Sequence, residues 1–254
     1  MDSLDAIILG VVEGLTEFLP ISSTGHLVLV SHLLGLSETD FLKSFEVVIQ
    51  LGAILAVVTL YWRKLLFDRA VMQRIVVALL PALGVGYLFY ATIRSLLVSQ
   101  LTVVIALFVG GVILILFERY RQEPTNPAAV EKLTYKQAFL IGLAQALSVV
   151  PGVSRAGATI VGGLATGLSR SAAVEFSFLL GVPTMVAATT LDVVKHHADF
   201  SLADIQSLAI GLIVSFLVAL VAIKFLLRYV ETHSFVAFGV YRILVAVLFT
   251  LIIL

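Results

Sequence analysis

The chain has 254 residues, 60% of them hydrophobic and 13% charged, and its 16 basic and 16 acidic residues cancel. A soluble domain carries about 25% charged residues, so an ordinary aqueous fold is excluded, and the absence of net positive charge leaves nothing to mark a nucleic-acid binder. Without cysteine there are no disulfides, zinc–thiolate sites or thiol nucleophiles, and the apolar residues fall in bilayer-length runs that predict an all-α polytopic membrane protein.

The first segment, MDSLDAIILGVVEGL, has two aspartates and no Lys or Arg ahead of its apolar run. A secretory signal needs a basic start, so this segment reads as part of the mature protein. The apolar stretch from about 4 to 36 is broken near its middle by PISSTG. Pro, Gly and hydroxyl residues at that depth predict two short helices joined by a loop, which a membrane tolerates only where protein or a water-filled cavity satisfies the backbone. Three full crossings follow, at about 45–62, 72–93 and 101–117. The connector 118–134, with Pro124 and Pro127, leads to a second broken stretch, about 136–170, interrupted by PGVSRAG. Three more crossings close the chain, at about 174–191, 203–228 and 235–254.

The two broken stretches match at a constant offset of 132: Ala6, Gly10, Leu15, Ser22, Gly25, Gly35, Leu36 and Ser37 recur as Ala138, Gly142, Leu147, Ser154, Gly157, Gly167, Leu168 and Ser169. Glu13 aligns with Gln145 and Thr16 with Ser148. Because three spans, an odd number, follow each hairpin, the second repeat enters the membrane upside down relative to the first. The expected architecture is one membrane domain, 1–254. It holds six transmembrane helices and two re-entrant hairpins in interlocked inverted repeats, about 4–117 and 136–254.

Arg63, Lys64, Arg69 and Arg74 in the 63–74 loop share one side with Arg119, Arg121, Lys132 and Lys136, and Lys224 and Arg228 lie near the same side. Lys43, Arg94 and Lys195 are all that the other side holds. The positive-inside rule makes the first group cytoplasmic. Both termini then face outward, and the first hairpin dips in from outside.

Several residues do not belong in lipid. Glu13 and Glu17 lie four apart, on one helix face, and each costs roughly 2.5–3.5 kcal/mol at a helix centre. As hard oxygen ligands they suit Mg²⁺ or Ca²⁺ shared with phosphate oxygens. Pro20 interrupts the helix, and Ser22, Ser23, Thr24, Gly25 and His26 follow it. These residues supply capping hydroxyls at a helix N-terminus suited to an anion, candidate nucleophiles and a proton carrier. In the second hairpin Arg155 lies between Ser154 and Thr159, with Gly152 and Gly157 allowing close backbone approach. Its planar fork matches phosphate oxygens, and Glu13 or Glu17 is its alternative partner. Glu46 with Gln50, and Glu175 with Ser177, are lesser polar pairs, able to line a cavity or to bond internally.

EGLTEFLPISSTGHL (13–27) and PGVSRAGAT (151–159) closely resemble the two signatures of the undecaprenyl pyrophosphate phosphatase family, also called the bacitracin-resistance family. FEVVIQLGAILAVV (45–58) and EFSFLLGVP (175–183) are similar to it as well, so the resemblance spans nearly the whole chain. It implies metal-assisted hydrolysis of undecaprenyl pyrophosphate to the monophosphate, on the outer side of a bacterial inner membrane. That reaction recycles the carrier lipid for peptidoglycan and other envelope polymers. It also implies interlocked inverted repeats. The functional residues it carries over are Glu13, Glu17, Ser22, Ser23 and His26 in the first signature and Ser154, Arg155 and Thr159 in the second. Two departures stand out: Ala156 replaces a serine common in the family, and the connection around 63–74 is short.

On this reading Glu13 and Glu17 hold the cation, Arg155 clamps the phosphates, and Ser22, Thr24, Gly25, Gly152, Ser154 and Thr159 bind substrate. Ser23, or a water, attacks, and His26 moves the proton; Ser22, Ser154 and His26 itself remain alternative nucleophiles. Ser23 and His26, three apart, are expected to converge across one helical turn. Polyprenyl pyrophosphate lipid and the bilayer are the partners; a homodimer is left open. A polyprenyl-phosphate transporter or flippase is the rival reading, because inverted repeats with broken helices are also a transporter architecture.

Overall fold

Hairpin tips and helix crossings organise the molecule. A computed structural model describes residues 1–37, 39–88, 100–122, 127–196 and 204–253, and among these the regular structure is helical. The first broken stretch is α1 (Ser3–Thr16) and α2 (Ser23–Leu33), followed by α3 (Asp40–Phe67), α4 (Arg69–Leu88) and α5 (Gln100–Tyr120). The second is α6 (Tyr135–Ala146) and α7 (Arg155–Ala165), followed by α8 (Arg170–His196), α9 (Asp204–Thr232) and α10 (Val236–Ile253).

The sequence explains these boundaries. Asp2 and Asp5 form a reciprocal capping box at the start of α1, and Thr134 and Gln137 do the same for α6. Thr39 caps α3 by accepting from the Leu42 N–H. At 11–14 residues, the hairpin helices span only about 16–21 Å each, too short for a 30 Å hydrocarbon core. Five helices, α3, α4, α5, α8 and α9, are long and apolar enough to cross. The sixth expected crossing, 235–254, is the shorter α10 of 18 residues, about 27 Å. The expected 63–74 loop is not a loop. Only Asp68 separates α3 from α4, so Arg63, Lys64, Arg69 and Arg74 ride on helix ends.

Packing between the two halves is reciprocal. The first helix of each half lies against the fourth helix of the other, α1 on α9 and α6 on α4. Small residues permit it. A Cβ on Gly10 would stand 2.8 Å from the Gly211 carbonyl oxygen. One on its counterpart Gly142 would run into the Ala78 carbonyl. In α5 and α10, Gly111 and Gly239 face each other in the same way, the close approach typical of membrane helices. An aromatic contact packs the turn of the first hairpin on α8, with Phe18 edge-on to Phe178 at 5.1 Å between ring centroids. Outward-facing Leu217, Val221 and Phe225 leave apolar surface uncovered, as lipid contact requires.

Candidate active site

Both hairpin loops turn on a serine in an unusual conformation. Ser22 has φ 71°, ψ 93° and Ser154 φ 75°, ψ 113°, the two non-glycine residues with positive φ among those described. Such a backbone costs an L-residue roughly 1–3 kcal/mol and persists where surrounding structure imposes it. The equivalence predicted for these positions extends to Gly35 and Gly167, which also share positive φ. Their side chains differ. Ser154 caps α7 by accepting from the Gly157 N–H at 3.0 Å, whereas Ser22, expected to cap α2, makes no such bond.

The two tips bring the charged residues together. Ser23 Oγ donates to Glu17 Oε2 at 2.5 Å, and Arg155 Nη2 donates to Glu17 Oε1 at 3.0 Å. Arg155 Nη1 donates to the Ser177 carbonyl at 2.9 Å, and Nε has no partner. Gly181 leaves room for this guanidinium: a Cβ there would lie 2.6 Å from Nη1. Glu13, one turn before Glu17, is fully buried; its carboxyl lies within hydrogen-bonding reach of the Glu17 carboxyl, and no N–H or O–H donor reaches either of its oxygens. Glu17, Arg155 and Glu46 are the charged groups that act on it. A buried carboxylate that no donor reaches is costly.

The expected contact between Ser23 and His26 is absent. Ser23 bonds to Glu17 across the helix break, while His26 Nδ1 lies 2.8 Å from the Ser22 carbonyl and Nε2 2.8 Å from the Tyr241 hydroxyl. Thr159 is buried behind Arg155, its hydroxyl 2.8 Å from the Arg155 carbonyl and 2.6 Å from Ser177 Oγ. Gly152 was expected to admit a ligand, but the space beside it is occupied by α5; a Cβ would stand 2.6 Å from the Val103 carbonyl oxygen. Gly25 packs similarly on Leu107, and Thr24 is half-buried on the first turn of α2. Of the lesser pairs, Glu46 accepts from Ser31 at 3.0 Å and Glu175 from Lys64 at 2.5 Å.

Two residues of α10 were missed by sequence reasoning. Tyr241 is the partner of His26. Arg242 is buried and donates to five backbone carbonyls: Pro20 in the first tip, Gly152 and Val153 in the second, and Ala106 and Leu107 in α5. It ties both tips to one point, and Gly110 leaves the space its guanidinium fills. An arginine within the 235–254 apolar run was the available signal.

The carboxylate–hydroxyl–guanidinium set can bind an anion, activate a hydroxyl and hold a hard cation. Residues 6–248 match the family described as bacitracin resistance protein BacA. The chain is 51% identical to an undecaprenyl-diphosphatase of Sulfurihydrogenibium sp. (strain YO3AOP1) over 252 residues, covering 99% of each chain. It is 47% identical to the enzyme of that name from Aquifex aeolicus (strain VF5) over 250 residues, covering 98% of each. It is also 51% identical to that of Campylobacter hominis over 256 residues, again 98% of each. A multi-pass helical membrane protein matched over nearly its whole length, this chain belongs to the BacA bacitracin-resistance family.

Proposed function

We propose that this protein is an undecaprenyl-diphosphate phosphatase, hydrolysing the lipid diphosphate to undecaprenyl phosphate and inorganic phosphate, as the names of its relatives state for them. The observation that carries the site assignment is the bonded run Ser23–Glu17–Arg155 beside Glu13, which no donor reaches. Product recycling for peptidoglycan and other envelope polymers, and bacitracin resistance, follow from that reaction.

Phosphoryl transfer is catalysed mainly by positioning and electrostatics. Arg155 offers its free Nε to phosphate oxygens. As Ser23 Oγ attacks the terminal phosphorus, its proton passes to Glu17, and the bond from phosphorus to the bridging oxygen breaks, releasing the lipid monophosphate. A water then attacks the phosphoserine, and His26 is the final acceptor of the proton it gives up. Phosphate departs, and Ser23 recovers its proton from Glu17. The second carboxylate, Glu13, fits a divalent cation, Mg²⁺ or Ca²⁺, because both its oxygens are buried beside the Glu17 carboxyl and no donor reaches them. Among the described residues no three His, Asp or Glu side chains form a ready metal cage. The remaining ligands would be Glu17, phosphate oxygens and water, the mode usual for Mg²⁺. Bound there, the cation would supply neutralising charge to the diphosphate.

We place the protein in the bacterial inner membrane as one domain of two inverted repeats, with six crossings, two re-entrant hairpins and the site reached from the outer side. The skew of Lys and Arg and the reciprocal packing of α1 on α9 and α6 on α4 support this. Cysteines replacing Lys132 and Lys43 should then be labelled from opposite sides; labelling from one side removes the topology. The function is tested by phosphate release from a prenyl diphosphate by purified protein in detergent, where no gradient exists. Turnover is expected. Binding without release would overturn the reading and leave the transporter or flippase.

A further inference from the structure

His26 has two partners, and together they dictate its chemistry. Its Nδ1 lies 2.8 Å from the carbonyl oxygen of Ser22, which can only accept, so Nδ1 carries a hydrogen. In the neutral ring the lone pair is then on Nε2, and the group 2.8 Å from Nε2 is the hydroxyl of Tyr241, which must donate. The ring planes lie within 2° of parallel. Burial differs sharply between the two: His26 is 7% exposed and Tyr241 42%. The charged neighbour on this side is Arg242, whose guanidinium is committed to backbone carbonyls. No other hydrogen-bonding group meets Nε2 among the described residues.

We infer that Tyr241 is a positioning residue for His26: it holds the imidazole in the Nδ1–H tautomer and carries protons between Nε2 and water that meets its hydroxyl. Nε2 takes its proton from the tyrosine hydroxyl as that oxygen takes one from the attacking water, and the resulting Nε2–H donates to the tyrosine oxygen. Return is the reverse. The Nε2–H proton passes to the tyrosine oxygen as that oxygen gives its hydrogen to water, so one proton leaves and the phenol is restored. A buried base can turn over only if its proton is cleared, and the Tyr241 hydroxyl is the group bonded to the nitrogen that carries it. The Ser22 carbonyl that sets the tautomer is the N-cap carbonyl of α2, and it also accepts from the His26 backbone N–H.

This inference rests on the reading of His26 as the proton carrier of the phosphatase, and the experiment separates the two. Full-length protein labelled with ¹⁵N-histidine is compared with its His26→Gln and Tyr241→Phe variants by NMR and by turnover. The His26 signal, identified by its loss in His26→Gln, is expected to show Nδ1–H with a hydrogen-bonded Nε2, and Tyr241→Phe is expected to move Nε2 to its unbonded position. In the same variant kcat is expected to fall about 10- to 100-fold with KM unchanged, within the range of a proton-transfer contribution, and imidazole buffer is expected to restore part of it. An Nε2–H tautomer in the unmodified protein overturns the inference even if Tyr241→Phe does not fold. A normal, buffer-independent kcat in Tyr241→Phe overturns it as well, provided His26→Gln is inactive. Full turnover in His26→Gln overturns the proton-carrier role itself.

Discussion

The two hairpin tips share a backbone and differ in chemistry. Ser22 and Ser154 adopt nearly the same positive-φ conformation, each after a proline and each at the head of an 11-residue helix. At equivalent positions, however, Glu13 faces Gln145, Ser23 faces Arg155 and His26 faces Ala158. One tip keeps the acids, the hydroxyl and the imidazole; the other keeps the cation. A duplicated frame can thus place complementary charges at one point without asking any single hairpin to stabilise both.

The largest effects should come from breaking that complementarity. Glu17→Gln, Ser23→Ala and Arg155→Lys are each expected to lower turnover by about 10³-fold, as for loss of an acid–base group or a preorganised charge. Arg155→Lys is severe despite its conserved charge, since an ammonium cannot serve Glu17, Ser177 and a phosphate in the same planar arrangement. Initial rates of phosphate release decide this. Near-normal turnover in Ser23→Ala would replace the seryl intermediate with a water activated by Glu17.

Next is Glu13→Gln, which copies the second tip's Gln145 into the first. It should fold, lose about 10²-fold in rate, and lose the dependence on added Mg²⁺ or Ca²⁺. Chelator should abolish turnover of the unmodified protein, and cation should restore it. Full activity in excess chelator assigns Glu13 to proton handling instead.

Smaller effects test the frame itself. Ser154→Ala removes a cap and should cost about 1 kcal/mol of stability, whereas Ser22→Ala removes no side-chain bond and should cost little. Ser22→Gly should stabilise by about 1 kcal/mol, because glycine relieves the left-handed backbone. Thermal unfolding in detergent measures all three.

The smallest expected effect lies outside the hairpins. Glu131 accepts from Lys64 at 2.7 Å, and that bond holds its carboxyl below the ordinary carboxylate range. The folded state therefore binds this proton less readily than the unfolded chain does. The pair's contribution is complete at neutral pH and disappears as pH falls through the lowered folded value. Both side chains are partly exposed, so Glu131→Gln should cost under about 1 kcal/mol, and the difference from the unmodified protein should vanish in acid.

The hairpins were legible because proline, glycine and acids interrupt apolar runs, and such interruptions have few explanations in a membrane. Glu13 and Glu17 stood out that way, and Ser23 and Arg155 as a hydroxyl and a cation inside the two breaks. What joins them was not legible: the Ser23–Glu17 bond crosses a helix break, and the Arg155–Glu17 bond spans 138 positions. The local three-residue spacing of Ser23 and His26 suggested a contact, but each side chain has a stronger partner elsewhere. Arg242 was overlooked for a different reason. Its partners are five backbone carbonyls, and a carbonyl leaves no mark in a sequence.

Those five bonds also impose an order on biosynthesis. Pro20, Ala106, Leu107, Gly152 and Val153 are all translated before Arg242, which arrives with α10. Until that helix inserts, a nascent chain has both tips but lacks their shared donor, and the carbonyls must rely on water within an otherwise apolar environment. Nor does His26 yet have the Tyr241 hydroxyl. The frame that joins the two tips is therefore completed by α10 rather than by the signatures themselves, and a chain truncated before residue 235 would hold both tips without the donor they share.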